Sequence, residues 1–184
     1  FNETLIFQRP GESKAEMARR LPAAVVKMAR DFGPFGHFYK TQVPMLWAEE
    51  GGRIELVSSP AEVRKAMVAM DRVVDRPMLL LSAAVDFEQY AAQYAGVSDI
   101  VAGPMCGRAY FKEAFTDPDT RDWDSLVNSF RRIALPRIQQ IRGMCQIVSR
   151  PWWCRFTTIS KSARALIHKD AKPRAKGVKA DYGY

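Results

Sequence analysis

Four short apolar runs punctuate the chain, at Thr4 to Phe7, His37 to Val43, Met78 to Val85 and Ile100 to Cys106. Between them the apolar positions change to helical spacing. Ser13-Lys14-Ala15-Glu16 is a capping box, after which Met17, Leu21, Val25, Met28 and Phe32 fall on one helical face. Pro22 interrupts this stretch and argues against one unbroken helix. Ser59-Pro60-Ala61-Glu62 adds a proline at the first helical position to a second capping box, and Val63, Met67, Met70 and Val74 follow. Asp86 is placed to cap a third helix carrying Phe87, Tyr90 and Tyr94, which Gly96 is expected to end. Trp123 to Val148 reads as a long helical stretch kinked or divided at Pro136.

Strands alternating with amphipathic helices predict βαβ units and a parallel sheet. About four such units occupy the first 115 residues. A complete (β/α)8 barrel takes ~250 residues, so four units make half of a barrel or a small open sheet. The expected division is residues 1–156 as the half barrel and 157–184 as a basic C-terminal tail. Phe1 stands where an initiator Met is usual and a buried strand is expected almost at once, so the natural protein is expected to begin upstream or the sequence to be a fragment.

Composition narrows the classes. The 184 residues are 47% apolar and 26% charged, within the range of globular proteins. No apolar run approaches the ~18 residues of a spanning helix, so a membrane partner is not expected. Three cysteines without a C-x-x-C pair, beside only His37 and His168, make neither a disulfide scaffold nor a usual zinc site; no metal is expected, and the cytoplasm is the expected compartment. Of the net charge of +8, residues 157–184 carry +5, from seven Lys/Arg against Asp170 and Asp181. Such a tail reads first as a solvated extension, and nucleic acid is disfavoured as a partner.

Parallel strands place their C-terminal ends on one face, where enzymes of this class carry their chemistry. One polar residue lies in or beside each run: Glu3, Lys40, Ser82 and Arg108. Lys40 lies among aromatic and β-branched residues in Phe38-Tyr39-Lys40-Thr41-Gln42-Val43-Pro44. Desolvation favours the neutral amine, which can attack a carbonyl, so Lys40 has the outline of a Schiff-base lysine. The plain alternative is a lysine reaching the strand end to pair with Glu3 or Glu49. Glu3 could serve as general acid/base, or be an exposed strand-end acid. Gly107 and Arg108 in Gly103-Pro104-Met105-Cys106-Gly107-Arg108-Ala109 could hold a phosphate, with Ser82 and Ala83 supplying the other half; glycines at strand ends are also plain turn formers.

Taken in order, these segments resemble the tagatose-1,6-bisphosphate aldolase family of class I aldolases, which includes sulfofructosephosphate aldolases. Glu3-Thr4-Leu5-Ile6 resembles its Glu-Pro segment, Tyr39 to Pro44 its Tyr/Leu-Lys-Val-Glu-x-Pro, Leu81 to Val85 its Leu-Ser-Ala/Ser-Gly-Val, and Cys106 to Phe111 its Cys-Gly-Arg-Ala-Thr/Val-Trp. The likeness covers residues 1 to about 150. It implies a Schiff-base Lys40, an acid/base Glu3 and a phosphate grip from Ser82, Ala83, Gly107 and Arg108. The implied reaction cleaves a ketose phosphate to dihydroxyacetone phosphate and an aldehyde without metal or organic cofactor, with a sugar phosphate as substrate and a homo-oligomer when full length. Gln42 and Ala84 depart from the family's Glu and Gly, and the N-terminal half of the family is absent. A non-catalytic descendant with a structural or RNA-associated role is the competing expectation.

Overall fold

A computed structural model describes residues 2–149, so the basic tail and the last residues of the expected 1–156 unit lie outside the described residues. The described elements are β1 (Asn2–Thr4), α1 (Lys14–Phe32), β2 (Tyr39–Gln42), β3 (Trp47–Glu50), β4 (Arg53–Leu56), α2 (Pro60–Val73), β5 (Met78–Leu81), α3 (Phe87–Val97), β6 (Gly103–Pro104), α4 (Arg108–Thr116) and α5 (Trp123–Val148). The protein is a mixed α/β fold. Four strands form a sheet in the order β1-β2-β5-β6, and every pairing in it is parallel. Spatial order therefore follows chain order, with α1, α2 and α3 filling the crossovers.

The helices begin where their caps are. Ser13 and Ser59 each accept from the backbone N–H three residues on, while Glu16 and Glu62 return the bond to the cap N–H. Asp86 accepts from the N–H of Gln89 at 2.7 Å and starts α3. Pro22 lies inside a continuous helix, against the expectation of a break, and Pro136 does not divide α5. In α1 the buried face of Ala18, Leu21, Val25 and Ala29 outweighs the one backbone bond that a proline removes. Gly33 closes α1 with its N–H on the Ala29 carbonyl, and a Cβ there would lie 2.8 Å from Val74. The end of α1 is thus pressed against the end of α2.

Two strands differ from the expected runs. β1 stops at Thr4, and Phe7 is 73% exposed where the pattern predicts a buried strand. β6 has only two residues, because Ile100 to Ala102 forms a turn and Pro104 has no N–H for the ladder. The pairing is extended only by Ala102 N–H on Met78 and Met105 N–H on Leu80.

The unforeseen element is the antiparallel β3–β4 hairpin, inserted between β2 and α2. Its two-residue loop, Gly51-Gly52, has φ of +57° and +74°, the twisted turn that glycine makes at no steric cost. Gln89 of α3 holds the hairpin's entry, its side-chain oxygen accepting from the N–H groups of Leu46 and Trp47 at 2.9 and 3.1 Å. Gln93, one turn further, donates to the Pro44 carbonyl.

The core lies between the sheet and its helices. Tyr39, Met78 and Leu80 point there from the strands to meet Leu21, Val25, Met67, Met70, Tyr90 and Tyr94. Tyr39 keeps its hydroxyl satisfied through Thr4 Oγ1 at 2.7 Å, and burial pushes its ionisation upward.

Candidate active site

Side chains alternate across a strand, so the residues between the core positions face the other side of the sheet. Glu3 and Lys40 are in register on β1 and β2, flanked by Thr4 and Tyr39, which face the helices. Lys40 Nζ donates to Glu3 Oε2 at 3.0 Å. The lysine side chain is 19% exposed and the glutamate 43%, so the ammonium is mostly covered while its partner reaches solvent. This pair agrees both with an acid/base couple and with a plain strand-end ion pair.

Beyond β5 the chain makes a sharp turn. Val85 N–H bonds the Ser82 carbonyl at 3.0 Å, and Ala83 and Ala84 between them have φ of +46° and +63°. Two successive alanines in the left-handed region are costly, because each Cβ crowds its own backbone. The turn carries buried Ser82 toward the Cys106 thiol, which bonds it. Burial pushes that thiol above the usual cysteine range, against the pull of Ser82, of the Ala109 and Tyr110 N–H groups and of the nearby Lys40 charge.

Gly107 is the N-cap of α4 and Arg108 its first residue. A Cβ at Gly107 would meet only ring carbons of Phe111, 3.8 Å away. Space therefore does not demand glycine here. The exposed Arg108 guanidinium makes no hydrogen bond or ion pair with a described residue. It stands at the first turn of α4, where the Ala109 and Tyr110 N–H groups already face the Cys106 sulfur and Tyr110 N–H bonds the Gly107 carbonyl at 2.9 Å.

All six residues expected at a site line one cavity of about 290 Å³: Glu3, Lys40, Ser82, Ala83, Gly107 and Arg108. Leu5, Leu81, Met105 and Phe111 supply its apolar wall. Larger concavities exist elsewhere, about 570 Å³ between α1 and α2 and about 500 Å³ beneath the hairpin, but neither contains this chemistry. A neighbouring cavity of about 340 Å³ shares Leu5, Ala83, Ala84 and Arg108 with the first and includes Gln42. Gln42 is buried, and its Oε1 accepts from the N–H of Ile6 at 2.7 Å, which holds the chain as it leaves β1. Sequence reasoning noted Gln42 as a departure without seeing that task; its signal was the place two residues after Lys40, on the same face. The site role of Cys106 was missed as well, although it directly precedes Gly107.

His37 lies exposed, and among the described residues no cluster of three or more His, Cys, Asp or Glu could hold a metal. No described helix is long and apolar enough to cross a membrane. No family model matches this chain, and no curated protein matches it.

Proposed function

We propose that the chain is the C-terminal half of a (β/α)8 barrel and carries the catalytic residues of a class I aldolase acting on a ketose phosphate. One observation carries the reading: a mostly covered lysine donates at 3.0 Å to a carboxylate in register on the next strand, at the wall of a cavity that also holds Arg108, which has no partner among the described residues. Four sequentially ordered parallel strands support the barrel half.

In this reading the Lys40 ammonium first passes a proton to Glu3. The free amine adds to the ketose carbonyl, Glu3 gives its proton to the carbinolamine hydroxyl, and water leaves to give an iminium and a Glu3 carboxylate. Glu3 then takes the proton of the C4 hydroxyl. The C3–C4 electron pair moves into the iminium, the aldehyde departs, and an enamine remains. Protonation of that enamine and addition of water release dihydroxyacetone phosphate and return the amine. Arg108, with Ser82 and Gly107, holds the phosphate.

Borohydride reduction in the presence of dihydroxyacetone phosphate tests this, using the complete eight-stranded protein. Peptide mapping should find the adduct on Lys40, and Lys40→Ala should abolish trapping and cleavage together. Arg108→Ala should weaken phosphate-bearing substrates by about 2–5 kcal/mol. Trapping retained in Lys40→Ala, or no adduct in the unaltered protein, overturns the reading.

A further inference from the structure

β4 is the only described strand exposed at every residue, with Ile54 67% and Leu56 81% exposed. It pairs with β3 on one side, and no described residue pairs with the other. An exposed apolar strand edge of this kind is a template for another strand, and proteins that leave one bare risk uncontrolled pairing. Which groups face the open side follows from the hairpin itself. The tight Gly51-Gly52 turn closes on Glu50 and Arg53 as a hydrogen-bonded pair, and hydrogen-bonded pairs then alternate along the ladder. Val57 N–H on the Leu46 carbonyl at 3.0 Å lies on the same alternation. Arg53 and Glu55 therefore spend their backbone groups on β3, while Ile54 and Leu56 direct theirs to the open edge.

We propose that β4 is the seam of a twofold dimer, pairing antiparallel with β4 of a second copy about Ile54. The sequence around Ile54 is self-complementary in that register. Ile54 exchanges both backbone bonds with Ile54 of the second copy, and each Arg53 stands directly opposite a Glu55. Moving the register by one hydrogen-bonding step sets Glu55 against Glu55 or Arg53 against Arg53, which like charges oppose. Arg53 has no ion-pair partner among the described residues, whereas Glu55 is already bonded by Arg19 of α1. Pairing would thus build an Arg19–Glu55–Arg53 cluster on each side of the axis. On the opposite face, Ile54 packs beside its counterpart with Leu56 at the diagonals. The twofold makes the contact isologous and closed, so growth stops at two copies. The proposal stands apart from the aldolase reading, because the hairpin contributes no residue to the 290 Å³ cavity.

Sedimentation equilibrium of the full chain reads the outcome directly. The unaltered chain should run at twice its 20.8 kDa mass at micromolar concentration. Arg53→Glu should raise the dissociation constant by about tenfold or more, whereas Arg53→Lys, which keeps the charge opposite Glu55, should leave it within about threefold. Ile54→Pro removes only an outward N–H, so it should leave the hairpin folded, checked by circular dichroism, yet give monomer. A monomer at about 100 µM, a dimer indifferent to Ile54→Pro, or a dimer unaffected by Arg53→Glu overturns the proposal.

Discussion

Ala84 is a residue in a conformation that suits glycine. With φ at +63° beside Ala83 at +46°, it holds the turn that carries Ser82 into the cavity. The left-handed region costs an alanine about 1–2 kcal/mol, and glycine loses about 0.5–1 kcal/mol of that advantage through the freedom it gains when unfolded. Ala84→Gly should therefore stabilise the protein by about 0.5–1 kcal/mol, read as a higher urea midpoint. A lower midpoint would mean that the Ala84 methyl contributes packing worth more than the backbone strain. The same position bears on chemistry, since its Cβ stands at the border of both cavities that flank Arg108.

Among the elements, α3 does more than cover the sheet. Gln89 is buried and is the acceptor for two successive backbone N–H groups at the entry to the hairpin. Gln89→Ala leaves both donors without their partner and should cost about 2–3 kcal/mol, measured by urea unfolding. A loss below 0.5 kcal/mol, an order-of-magnitude threshold of roughly half a hydrogen bond, would show that water takes over the acceptor's place. The elements also show where sequence was informative. The capping boxes at Ser13 and Ser59 and the aspartate at Asp86 are local chemistry, and all three helices begin where those residues predict. Lys40 and Glu3 were legible because each is a charge in a short apolar or β-branched run. The hairpin was not, since Trp47 to Leu56 holds four charges and two glycines and carries no buried alternation on β4. Its support comes from Gln89, more than thirty residues away, which no local pattern reports. The reach of α1 through Pro22 is likewise decided by a buried face, a tertiary gain that outweighs local propensity.

At the scale of the whole molecule, several carboxylates are tied down in the folded state and free in the unfolded one. Hydrogen bonding by Arg20 holds the Glu12 carboxyl at about 2. Ser129 and the Asp119 N–H lower Asp117, and the caps at Ser13 and Ser59 lower Glu16 and Glu62. Each is depressed on folding, so its contribution is whole above the ordinary carboxylate range and is lost as pH falls through the folded value. Urea midpoints should therefore be level between about pH 8 and 5 and decline steadily toward pH 2. Glu12→Gln should flatten the lower part of that decline, and an unchanged slope would remove Glu12 from the account. The ion pair between Lys40 and Glu3 has a different consequence. β1 is three residues long and, among the described residues, pairs only with β2, so the bond that would prepare an amine for attack also ties β1 to its neighbour. In the proposed enzyme, a change at either residue would bear on both attack and anchorage. A lineage that gave up the chemistry and discarded Lys40 alone would leave Glu3 without its ammonium partner on a three-residue strand.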